Sequence, residues 1–479
     1  MSESNELLSR LKQNRIRSER SNNVMMLLKI IHYLFDLVLF FIAFVWFRYD
    51  GFDNIYPVGY RYNYFVALMY GIILYFYTRT YNANNFGFFG IRNLALSQMI
   101  SQFFSVSITY FMVCAAWKLF KAPWPFLIIL PLQFIVDVLW TYLCSFIFFK
   151  SFPQRRTLLI YRNDLDRMRF GAITGKPVER IHKIVEEIQF DGSFEDLKPR
   201  LGDYDALFVA GVNIDCRNGL LKYCNEYGVT CYFLPHIGDV IMQGSTHIKS
   251  FDSPILYNDR KTLDPLYAFS KRAFDIVSSG LALILLSPLM IVIALIIKCS
   301  DKGPALYKQT RLTKDGKTFE ILKFRSMRVD AEKDGVARLS SGENDDRITP
   351  IGRFIRRFRI DELPQLINIF KGDMSVVGPR PERPEIAEQY YKSIPEFMLR
   401  LQVKAGLTGY AQVYGKYNTD PYEKLEFDLL YINQMNIVTD LMLCFATFFT
   451  FFLPDSTEGI AEGQTTAMDE VPAGEDRSH

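Results

Sequence analysis

Acidic and basic side chains are concentrated in one stretch of the chain, residues 346–365. Asp361 and Glu362 are adjacent within it. Three arginines precede them at positions i, i+3 and i+4, namely Arg353, Arg356 and Arg357. This spacing brings the guanidinium groups to one face of a helix, for which Thr349 and Pro350 supply an N-cap and a first-turn proline. The Ile and Phe residues between the arginines suit a membrane surface with phosphate head groups, although a solvated surface is the simpler interpretation.

Asp361 has two interpretations. Pro364 is tolerated only in a first helical turn, so Asp361 is predicted to be the N-cap of a second helix. Spacing alone favours this capping role. The position also suits chemistry, because a helix N-terminus carries about half a positive charge, which keeps a carboxylate ionised and attracts phosphate. An ionised aspartate there can attack phosphorus and form an acyl phosphate.

Histidine and cysteine usage narrows the chemistry. The chain has five histidines, and none lies between His247 and His479. Reactions in that half must therefore use carboxylates, Lys, Arg, Tyr or Ser. The seven cysteines show no CxxC or other metal-binding spacing, which indicates structural thiols in a reduced compartment. A net charge of +3 gives no indication of nucleic acid as a partner.

Four apolar stretches in the first third predict membrane anchoring. They cover about 24–47, 63–79, 98–119 and 125–149, and each approaches the ~20 residues that span the hydrocarbon core. The second is the shortest. Basic residues precede the first stretch and follow the fourth, so the positive-inside rule places both ends in the cytoplasm. The sequence predicts a cytoplasmic segment over 1–23 and a bundle of four transmembrane helices over 24–150.

Residues 151–262 alternate strand-like and helix-like patterns. Arg156–Tyr161, Ala206–Ala210 and Val229–Leu234 are predicted strands, and Arg217–Tyr227 is a predicted helix between the last two. This order indicates a small parallel sheet of Rossmann type. The GxGxxG fingerprint is missing after the first strand, so a dinucleotide site is not favoured. We expect a cytoplasmic regulatory or dimerising module through which the chain forms a homodimer.

A fifth apolar segment, Ile276–Ile297, carries Ser287-Pro288 at its middle. Proline removes a backbone hydrogen bond and kinks a helix, and basic residues flank both ends, which places both flanks in the cytoplasm. These features predict a re-entrant helix over about 273–298, broken at Ser287-Pro288. An ordinary kinked transmembrane helix is the alternative, and it would put everything downstream outside the cell.

The re-entrant helix belongs to a predicted mainly helical, monotopic domain over 263–453. Its last apolar run, Asp440–Leu453, is too short to span a membrane and is expected to lie in the interface. Residues 454–479 are acidic and rich in Gly, Ser and Thr, which predicts a disordered tail. The fold class is therefore a membrane α/β multidomain protein.

Four motifs of this last domain resemble those of the bacterial sugar transferase family: Lys323–Met327, Ile360–Gln365, Lys371–Glu382 and Gly406–Gln412. They occur in order over about 266–450. The resemblance implies a polyprenyl-phosphate phosphoglycosyl transferase with a re-entrant membrane helix. The N-terminal helices and the Rossmann-like module resemble the large members, which start O-antigen, capsule or exopolysaccharide assembly. The resemblance thus implies an enzyme of the bacterial inner membrane with its catalytic domain on the cytoplasmic face.

An adjacent Asp-Glu pair is catalytic in that family, and it corresponds to Asp361 and Glu362. The resemblance implies that Asp361 attacks the sugar-bearing phosphate of a UDP-hexose and releases UMP. A polyprenyl phosphate oxygen then displaces Asp361. The product is a polyprenyl-diphospho-sugar, which stays in the membrane with the other lipids. Phosphoryl transfer builds negative charge, so Mg2+ is the expected cofactor, held by Asp361 and Glu362 with substrate phosphates. Glu362 is a ligand or base candidate, and the sequence leaves that choice open.

The resemblance implies further substrate-binding residues near the pair. Arg380 resembles a nucleotide or phosphate contact, and the flanking Pro379 and Pro381 would fix its backbone. Lys323 and Arg325 are either anion contacts or structural ties to the catalytic helix.

Other residues of the family motifs are less closely tied to chemistry. The three arginines of the basic helix, Arg353, Arg356 and Arg357, are candidates for binding the lipid phosphate. Asp428 and Tyr431 match a family motif whose role is structural first. The chain departs from the family at Thr313, where glycine is common, but the turn residues Asp315 and Gly316 are present.

Two rival functions use other features. Asp164-Leu165-Asp166 is a DxD tripeptide, which would suit a metal-dependent nucleotide-sugar glycosyltransferase, but it is a lone match in a module without other chemistry. A membrane scaffold with an inactive transferase domain is the second alternative. The presence of Asp361, Glu362 and Arg380 argues against it. Glucose or galactose is the commoner sugar of the large family members, and the sequence does not identify the sugar.

Overall fold

The computed structural model describes residues 2–49, 61–84, 91–151, 154–173, 176–249, 254–258, 263–301, 303–328, 347–415 and 420–450. The chain divides into two compact units, Met1–Pro235 and His236–His479. This division precedes the predicted boundary between 262 and 263, because Ile237 and Val240 belong to the core of the second unit. The predicted tail, 454–479, lies outside the described residues.

Four helices open the first unit: α1 (Ser2–Tyr49), α2 (Arg61–Thr80), α3 (Ile91–Trp117) and α4 (Trp124–Ser151). Each helix packs against the next, and α4 closes the ring against α1. Aromatic side chains fill the shared core, where Phe40, Phe44 and Tyr70 are fully buried. Large apolar side chains such as Phe65 and Leu127 are exposed on the outside. An apolar exterior around an apolar core is typical of helices that face lipid.

The described part of the chain has four helices that are long and apolar enough to cross a membrane: Asn23–Arg48, Asn93–Trp117, Trp124–Lys150 and Pro265–Ser300. The first three coincide with predicted spans. The predicted second span does form a helix, α2, but its many tyrosines lower its hydropathy and it is not among the four. The apolar helices indicate a membrane protein.

The rest of the first unit alternates strands and helices: β1 (Arg155–Tyr161), α5 (Asp164–Ile173), α6 (Lys176–Ile181), β2 (His182–Gln189), α7 (Phe194–Leu197), β3 (Ala206–Ala210), α8 (Ile214–Tyr227) and β4 (Thr230–Phe233). The strands form one parallel sheet in the order β2-β1-β3-β4. The three predicted strands and the helix α8 are confirmed. β2 was not predicted, because this edge strand is largely exposed and lacks an apolar run.

The second unit contains the remaining elements: α9 (Ile237–Gln243), β5 (Thr246–Lys249), β6 (Pro254–Tyr257), α10 (Pro265–Asp301), β7 (Leu306–Leu312), β8 (Thr318–Phe324), α11 (Pro350–Arg357), α12 (Gln365–Lys371), β9 (Ser375–Val377), α13 (Pro384–Ser393), β10 (Gly406–Thr408), α14 (Tyr410–Tyr414), α15 (Pro421–Asn433) and α16 (Ile437–Thr450). Its strands pair two by two, β5 with β6, β7 with β8 and β9 with β10. The unit is mainly helical, as predicted.

The long helix α10 is continuous through Ser287 and Pro288. Pro288 has no N–H for the carbonyl of Ile284, four residues earlier. The Ser287 hydroxyl donates to that carbonyl at 2.9 Å, so the helix retains a partner for the acceptor that proline leaves unpaired. The predicted break at Ser287-Pro288 is therefore wrong, whereas the re-entrant path itself stays a prediction.

One face of α10 packs against other elements of the second unit along much of the length of the helix. Leu283 and Leu286 join a cluster with Ile369 of α12, while Ile293 and Ile297, further along α10, join another. The opposite face is apolar and exposed, with the side chains Val277, Leu281, Ile284, Leu285, Ile291 and Leu295. The packed face of α10 therefore positions α11 and α12.

Candidate active site

α11 forms as the sequence predicts. Thr349 Oγ1 accepts a hydrogen bond from Gly352 N at 3.0 Å, and Pro350 occupies the first turn. On the inner face, Ile355 is fully buried and packs with Ile293 of α10. The capping residue and this apolar contact fix where the helix begins and which face it turns to α10.

The carboxylate pair, Asp361 and Glu362, lies in a 3-10 turn between α11 and α12. Arg359 precedes the turn in the left-handed conformation, with φ of 51°, which is uncommon outside glycine. The prediction that Asp361 caps the next helix is wrong, because Pro364 itself occupies the N-cap position of α12. Asp361 is therefore placed by a tight turn rather than by a helix N-terminus.

Glu362 joins two cations. Its Oε1 lies 3.2 Å from Arg380 Nη2 and 3.6 Å from Lys323 Nζ. Burial alone would raise the pKa of Glu362, but Arg380 and Lys323 together lower it to about 2. Glu362 is thus a fixed negative charge between two basic side chains.

The pKa of Asp361 shifts in the opposite direction to that of Glu362. Burial and the negative charge of Glu362 raise the pKa of Asp361 to about 6, against the opposing charges of nearby cations. The expectation that a helix N-terminus keeps this carboxylate ionised is wrong about the cause, because α12 begins after Pro364. Asp361 forms no ion pair within the part of the chain that the structure describes. Above pH 6 it is a partly buried carboxylate with unpaired oxygens, which is the state that a nucleophile requires.

Only one of the three predicted arginines of α11 faces the pair. Arg356 is half-buried, and its charge acts on Asp361. Its Nη1 is buried and has no hydrogen-bond partner among the described residues. A buried, unpaired guanidinium donor is costly unless an anion completes it. Arg353 and Arg357 are exposed, and neither is among the cations that shift the pKa of Asp361 or Glu362.

Lys323 reaches Glu362 from the end of β8. Burial lowers the pKa of Lys323 from its ordinary value, although Glu362 opposes that shift. Asn368 of α12 fixes the strand, because it accepts from Leu322 N at 3.0 Å and donates to the Glu320 carbonyl at 2.8 Å. Arg325, two residues beyond Lys323, is buried and its N–H donates to the Ala305 carbonyl at 2.9 Å. Lys323 therefore contacts the pair, whereas the backbone of Arg325 ties the strand end to the chain that follows α10.

The loop that carries Arg380 is held by two arginines that sequence reasoning missed. Arg400 Nη2 donates to the Arg380 carbonyl at 2.9 Å, and Arg311 Nη1 donates to the Pro381 carbonyl at 3.0 Å. Leu312 N donates to the next carbonyl, that of Glu382, at 3.0 Å. Three consecutive carbonyls are thus fixed, which holds the Arg380 side chain on Glu362.

Asp428 lies behind this loop rather than at the carboxylate pair. It is 1% exposed, and its Oδ2 lies 2.7 Å from Arg400 Nη2. Burial raises the pKa of Asp428 to about 6 against the charge of Arg400. Its contacts are those of a residue that positions Arg400. Tyr431 of the same motif donates to Asp440 Oδ1 at 2.8 Å.

Two glycines of the family-like motifs meet backbone to backbone. Gly378 N donates to the Thr408 carbonyl at 2.8 Å, and Gly406 N donates to the Pro379 carbonyl at 2.9 Å. A Cβ at Gly406 would lie 2.1 Å from Gly378 N. Only glycine permits this approach, which joins the Arg380 loop to β10.

Thr313 explains why the chain can depart from the family at that position. Its φ is −134°, an extended value that does not require glycine. Its hydroxyl donates to the Asp373 carbonyl at 3.0 Å and accepts from Ala405 N at 3.2 Å. The left-handed positions of the turn are Asp315 and Gly316.

Two charged residues near the start of α10 fasten it to the site, and neither was predicted. Asp275 Oδ1 accepts from Val376 N at 2.9 Å and from Ser375 Oγ at 3.0 Å. Arg272 donates to the carbonyls of Ile369 and Phe370 at 2.9 and 2.8 Å. The charges that flank the apolar run were the available signal, but they were assigned only to membrane topology.

The carboxylate pair suits a divalent cation. Two adjacent carboxylates offer the hard oxygen ligands that Mg2+ prefers, and the negative charge of Glu362 raises the pKa of Asp361, a repulsion that a cation would relieve. The residues present therefore fit the expected magnesium ion.

Of the predicted site residues, Asp361, Glu362, Lys323, Arg356 and Arg380 come together. Arg353, Arg357 and Asp428 do not reach the pair, and Pro379 contributes backbone structure. The DxD tripeptide lies at the start of α5 in the other unit, where Asp166 N donates to Asn163 Oδ1 at 2.8 Å.

The match to a known protein family lies in the second unit. The profile of the bacterial sugar transferase family matches residues 266–454. UDP-glucose:undecaprenyl-phosphate glucose-1-phosphate transferase of Escherichia coli (strain K12) is 42% identical over 217 residues, which are 44% of this chain and 45% of the relative. UDP-N-acetylgalactosamine-undecaprenyl-phosphate N-acetylgalactosaminephosphotransferase of Aeromonas hydrophila is 41% identical over 186 residues, 38% of this chain and 44% of the relative.

A third relative is shorter. Exopolysaccharide production protein PSS of Rhizobium leguminosarum bv. phaseoli is 43% identical over 186 residues, which are 37% of this chain and 92% of the relative. The chain thus covers nearly all of this relative but less than half the length of the other two.

Proposed function

The chain belongs to the bacterial sugar transferase family, and we propose that it transfers a hexose 1-phosphate from a UDP-hexose to undecaprenyl phosphate or a similar polyprenyl phosphate. The observation that carries this proposal is the pairing of Glu362 with Arg380 and Lys323 beside the free carboxylate of Asp361. Arg356 is a further cation facing that carboxylate. A cluster of side chains with more basic than acidic groups favours a nucleoside diphosphate, and its unpaired carboxylate is placed to react with phosphorus.

In the first step, an Asp361 oxygen attacks the phosphorus that bears the sugar. A bond forms between that oxygen and phosphorus, the bond from phosphorus to the bridging oxygen of the diphosphate breaks, and UMP leaves. Arg380 and the unpaired Nη1 of Arg356 stabilise the charge on the phosphoryl oxygens, which is the main contribution a protein makes to phosphoryl transfer.

In the second step, an oxygen of the polyprenyl phosphate attacks the same phosphorus. The bond to Asp361 breaks, the carboxylate is restored, and polyprenyl-diphospho-hexose leaves. The lipid acceptor carries no acidic proton that must be removed at neutral pH, so the reaction does not require a histidine. Glu362, fixed by two cations, orients them for both steps.

Magnesium is part of the proposal as a cofactor. Asp361 and Glu362 would hold it together with substrate phosphates, and it would neutralise charge on the diphosphate.

The length and the contacts of α10 support the proposed position of the enzyme in the membrane. A straight helix of its 37 residues would be about 55 Å long at ~1.5 Å per residue, well beyond the ~30 Å hydrocarbon core. Its start, at Arg272, contacts α12, and its later part, at Ile297, packs with Phe324 and Ile355 of the same unit. This supports a re-entrant helix that enters and leaves one face of the bacterial inner membrane, with the catalytic domain on the cytoplasmic side.

The parallel sheet of the first unit supports a Rossmann-like module without a dinucleotide. Asn163, rather than a glycine loop, caps α5 after β1. The exposed edge strand β2 carries Ile184 and Val185 on its surface. Unpaired edges of this kind can join a second chain, which supports a regulatory module that forms a homodimer.

The names of the relatives indicate the class of sugar donor and the class of pathway. Their names include glucose and N-acetylgalactosamine donors and exopolysaccharide production, so we propose the first membrane step of a surface polysaccharide, such as exopolysaccharide, capsule or O-antigen. A donor screen tests this. Purified protein in nanodiscs with undecaprenyl phosphate and Mg2+ is given UDP-glucose, UDP-galactose or UDP-N-acetylgalactosamine, and UMP is measured.

The expected result is UMP release with one of these donors and its loss in Asp361→Asn. A scaffold would release no UMP from any donor. A metal-dependent glycosyltransferase of the DxD type would release UDP and would lose activity in Asp164→Asn instead.

A further inference from the structure

The ring of helices α1–α4 encloses a charged cluster that the proposed reaction does not use. His32 and Asp36 lie one turn apart on α1, and Asp137 faces them from α4. Their exposed fractions are 4%, 3% and 0%. His32 Nε2 lies 2.9 Å from Asp137 Oδ1 and 3.7 Å from Asp36 Oδ2. Ionisable groups inside a membrane bundle are costly and commonly functional.

The cluster contains acceptors without donors. Asp137 Oδ2 and the side-chain Oε1 of Gln133, one turn earlier on α4, are buried and have no hydrogen-bond partner in the described parts of the chain. Gln133 belongs to the same interior, since its Nε2 lies 3.3 Å from the Asp36 carbonyl oxygen. A bilayer offers no water to such atoms, so each unpaired acceptor is unfavourable. A cation bound by Asp137 would satisfy the acceptor of that side chain.

The excess of carboxylates over basic groups in the cluster also favours a bound cation. Two carboxylates face one imidazole, and His32 is the one basic side chain that pairs with either carboxylate among the described residues. With both carboxylates ionised, a protonated imidazole would leave one net negative charge inside the bundle. A neutral imidazole with a divalent cation would leave none, which lowers the cost of burying the group.

We propose that His32, Asp36 and Asp137 bind a divalent transition-metal ion of the zinc or manganese class, which links α1 to α4. Their candidate ligand atoms all lie within 4.8 Å of one another. One imidazole nitrogen with carboxylate oxygens is a ligand set that zinc accepts, and an imidazole ligand distinguishes such ions from Mg2+ and Ca2+.

Neighbouring side chains already hold the ligands in place. Gln102 of α3 donates through Nε2 to Asp36 Oδ1 at 2.8 Å and to Asp137 Oδ1 at 3.0 Å. The ring of Trp140 stacks on His32 with centroids 5.7 Å apart and an angle of 7° between the planes. Outer contacts of this kind orient metal ligands. The site is separate from the carboxylate pair of the other unit, and it does not depend on the proposed reaction.

Metal binding by the full-length protein tests the proposal. The protein is purified in nanodiscs, stripped with a chelator, and titrated with Zn2+ or Mn2+, and the bound metal is measured by mass spectrometry of the elements. The wild type is expected to retain about one zinc ion per chain and to melt at a higher temperature when zinc is present, because an ion that binds only the folded state stabilises it. Asp137→Asn and His32→Gln preserve side-chain size and are expected to weaken zinc binding at least ~10-fold.

Two controls separate this site from other binding. Ser105→Ala removes a buried hydroxyl of the same bundle outside the cluster, and His236→Gln removes a histidine of the other unit. Both should bind zinc as the wild type does. A wild type that retains neither zinc nor manganese would overturn the proposal, as would equal binding in Asp137→Asn. If one substituted protein fails to fold, the wild-type stoichiometry and Asp36→Asn still decide the question.

Discussion

Arg380 Nη2 lies 3.2 Å from Glu362 Oε1, and this contact makes two adjacent carboxylates unlike each other. Glu362 is stabilised as an anion by Arg380 and Lys323. Asp361 is left partly buried beside that anion, and its pKa rises. A pair of neighbouring acids with separated pKa values is a feature of sites that assign them different roles, here an orienting charge and a nucleophile.

The first prediction concerns pH. Asp361 reacts only when ionised, and its pKa is raised to about 6, so the rate of UMP release in a single turnover should fall as the pH drops through 6. Glu362→Gln removes the negative charge that raises this pKa, and the acid limb should move to lower pH. Lys323→Met removes a cation that lowers the same pKa, and the limb should move to higher pH. A limb unmoved by both substitutions would contradict the assigned nucleophile.

The second prediction separates arginines that contact the pair from those that do not. Arg380→Ala should lower kcat/KM for the UDP-sugar about 10–100-fold, since a hydrogen bond to a charged group contributes about 1.5–3 kcal/mol. Arg353→Ala is the matched control, because Arg353 is exposed on α11 and is not among the cations that shift the pKa of Asp361 or Glu362. Steady-state UMP release measures both. Equal losses in the two variants would mean that Arg380 has no special contact with the donor.

The third prediction concerns the joint between the Arg380 loop and β10. Gly406→Ala would place a Cβ 2.1 Å from Gly378 N, and the backbones must separate, at a cost of about 3 kcal/mol. Gly238→Ala is the control, because a Cβ there meets nothing within 4 Å. Thermal unfolding should show a lower midpoint for the first variant alone. Similar midpoints would show that the close backbone approach is not required.

The fourth prediction concerns the path of α10. Ser270→Cys and Ser300→Cys, each in a protein whose exposed Cys299 is replaced by serine, should react with a membrane-impermeant thiol reagent from the same side of inner-membrane vesicles. A re-entrant helix places both ends on one face. Reaction from opposite sides would establish an ordinary transmembrane helix and would refute the cytoplasmic placement of both flanks.

Local signals in the sequence were enough for elements whose ends are set by their own residues. Thr349 and Pro350 fix the start of α11, and the buried apolar run of β3 (Ala206–Ala210) identifies it. The edge strand β2 escaped notice, since neither of its faces is buried.

The site depends more on tertiary packing. The turn that carries Asp361 could not be predicted, because Ile360 and Leu363 pack into the cluster on α10 and Pro364 then begins α12. Arg400 reaches the Arg380 carbonyl across 20 residues, and Asn368 reaches β8 across 48. Contacts between such distant positions leave no periodic pattern in the sequence.

The covalent intermediate gives the most direct test. The protein is incubated without a lipid acceptor, with Mg2+ and the UDP-sugar that supports UMP release, and its intact mass is measured. We expect the wild type and Asp164→Asn to gain the mass of one phosphohexose, and Asp361→Ala to gain nothing and to lose turnover. An adduct of equal yield in Asp361→Ala, or full turnover by that protein, would contradict the proposed mechanism.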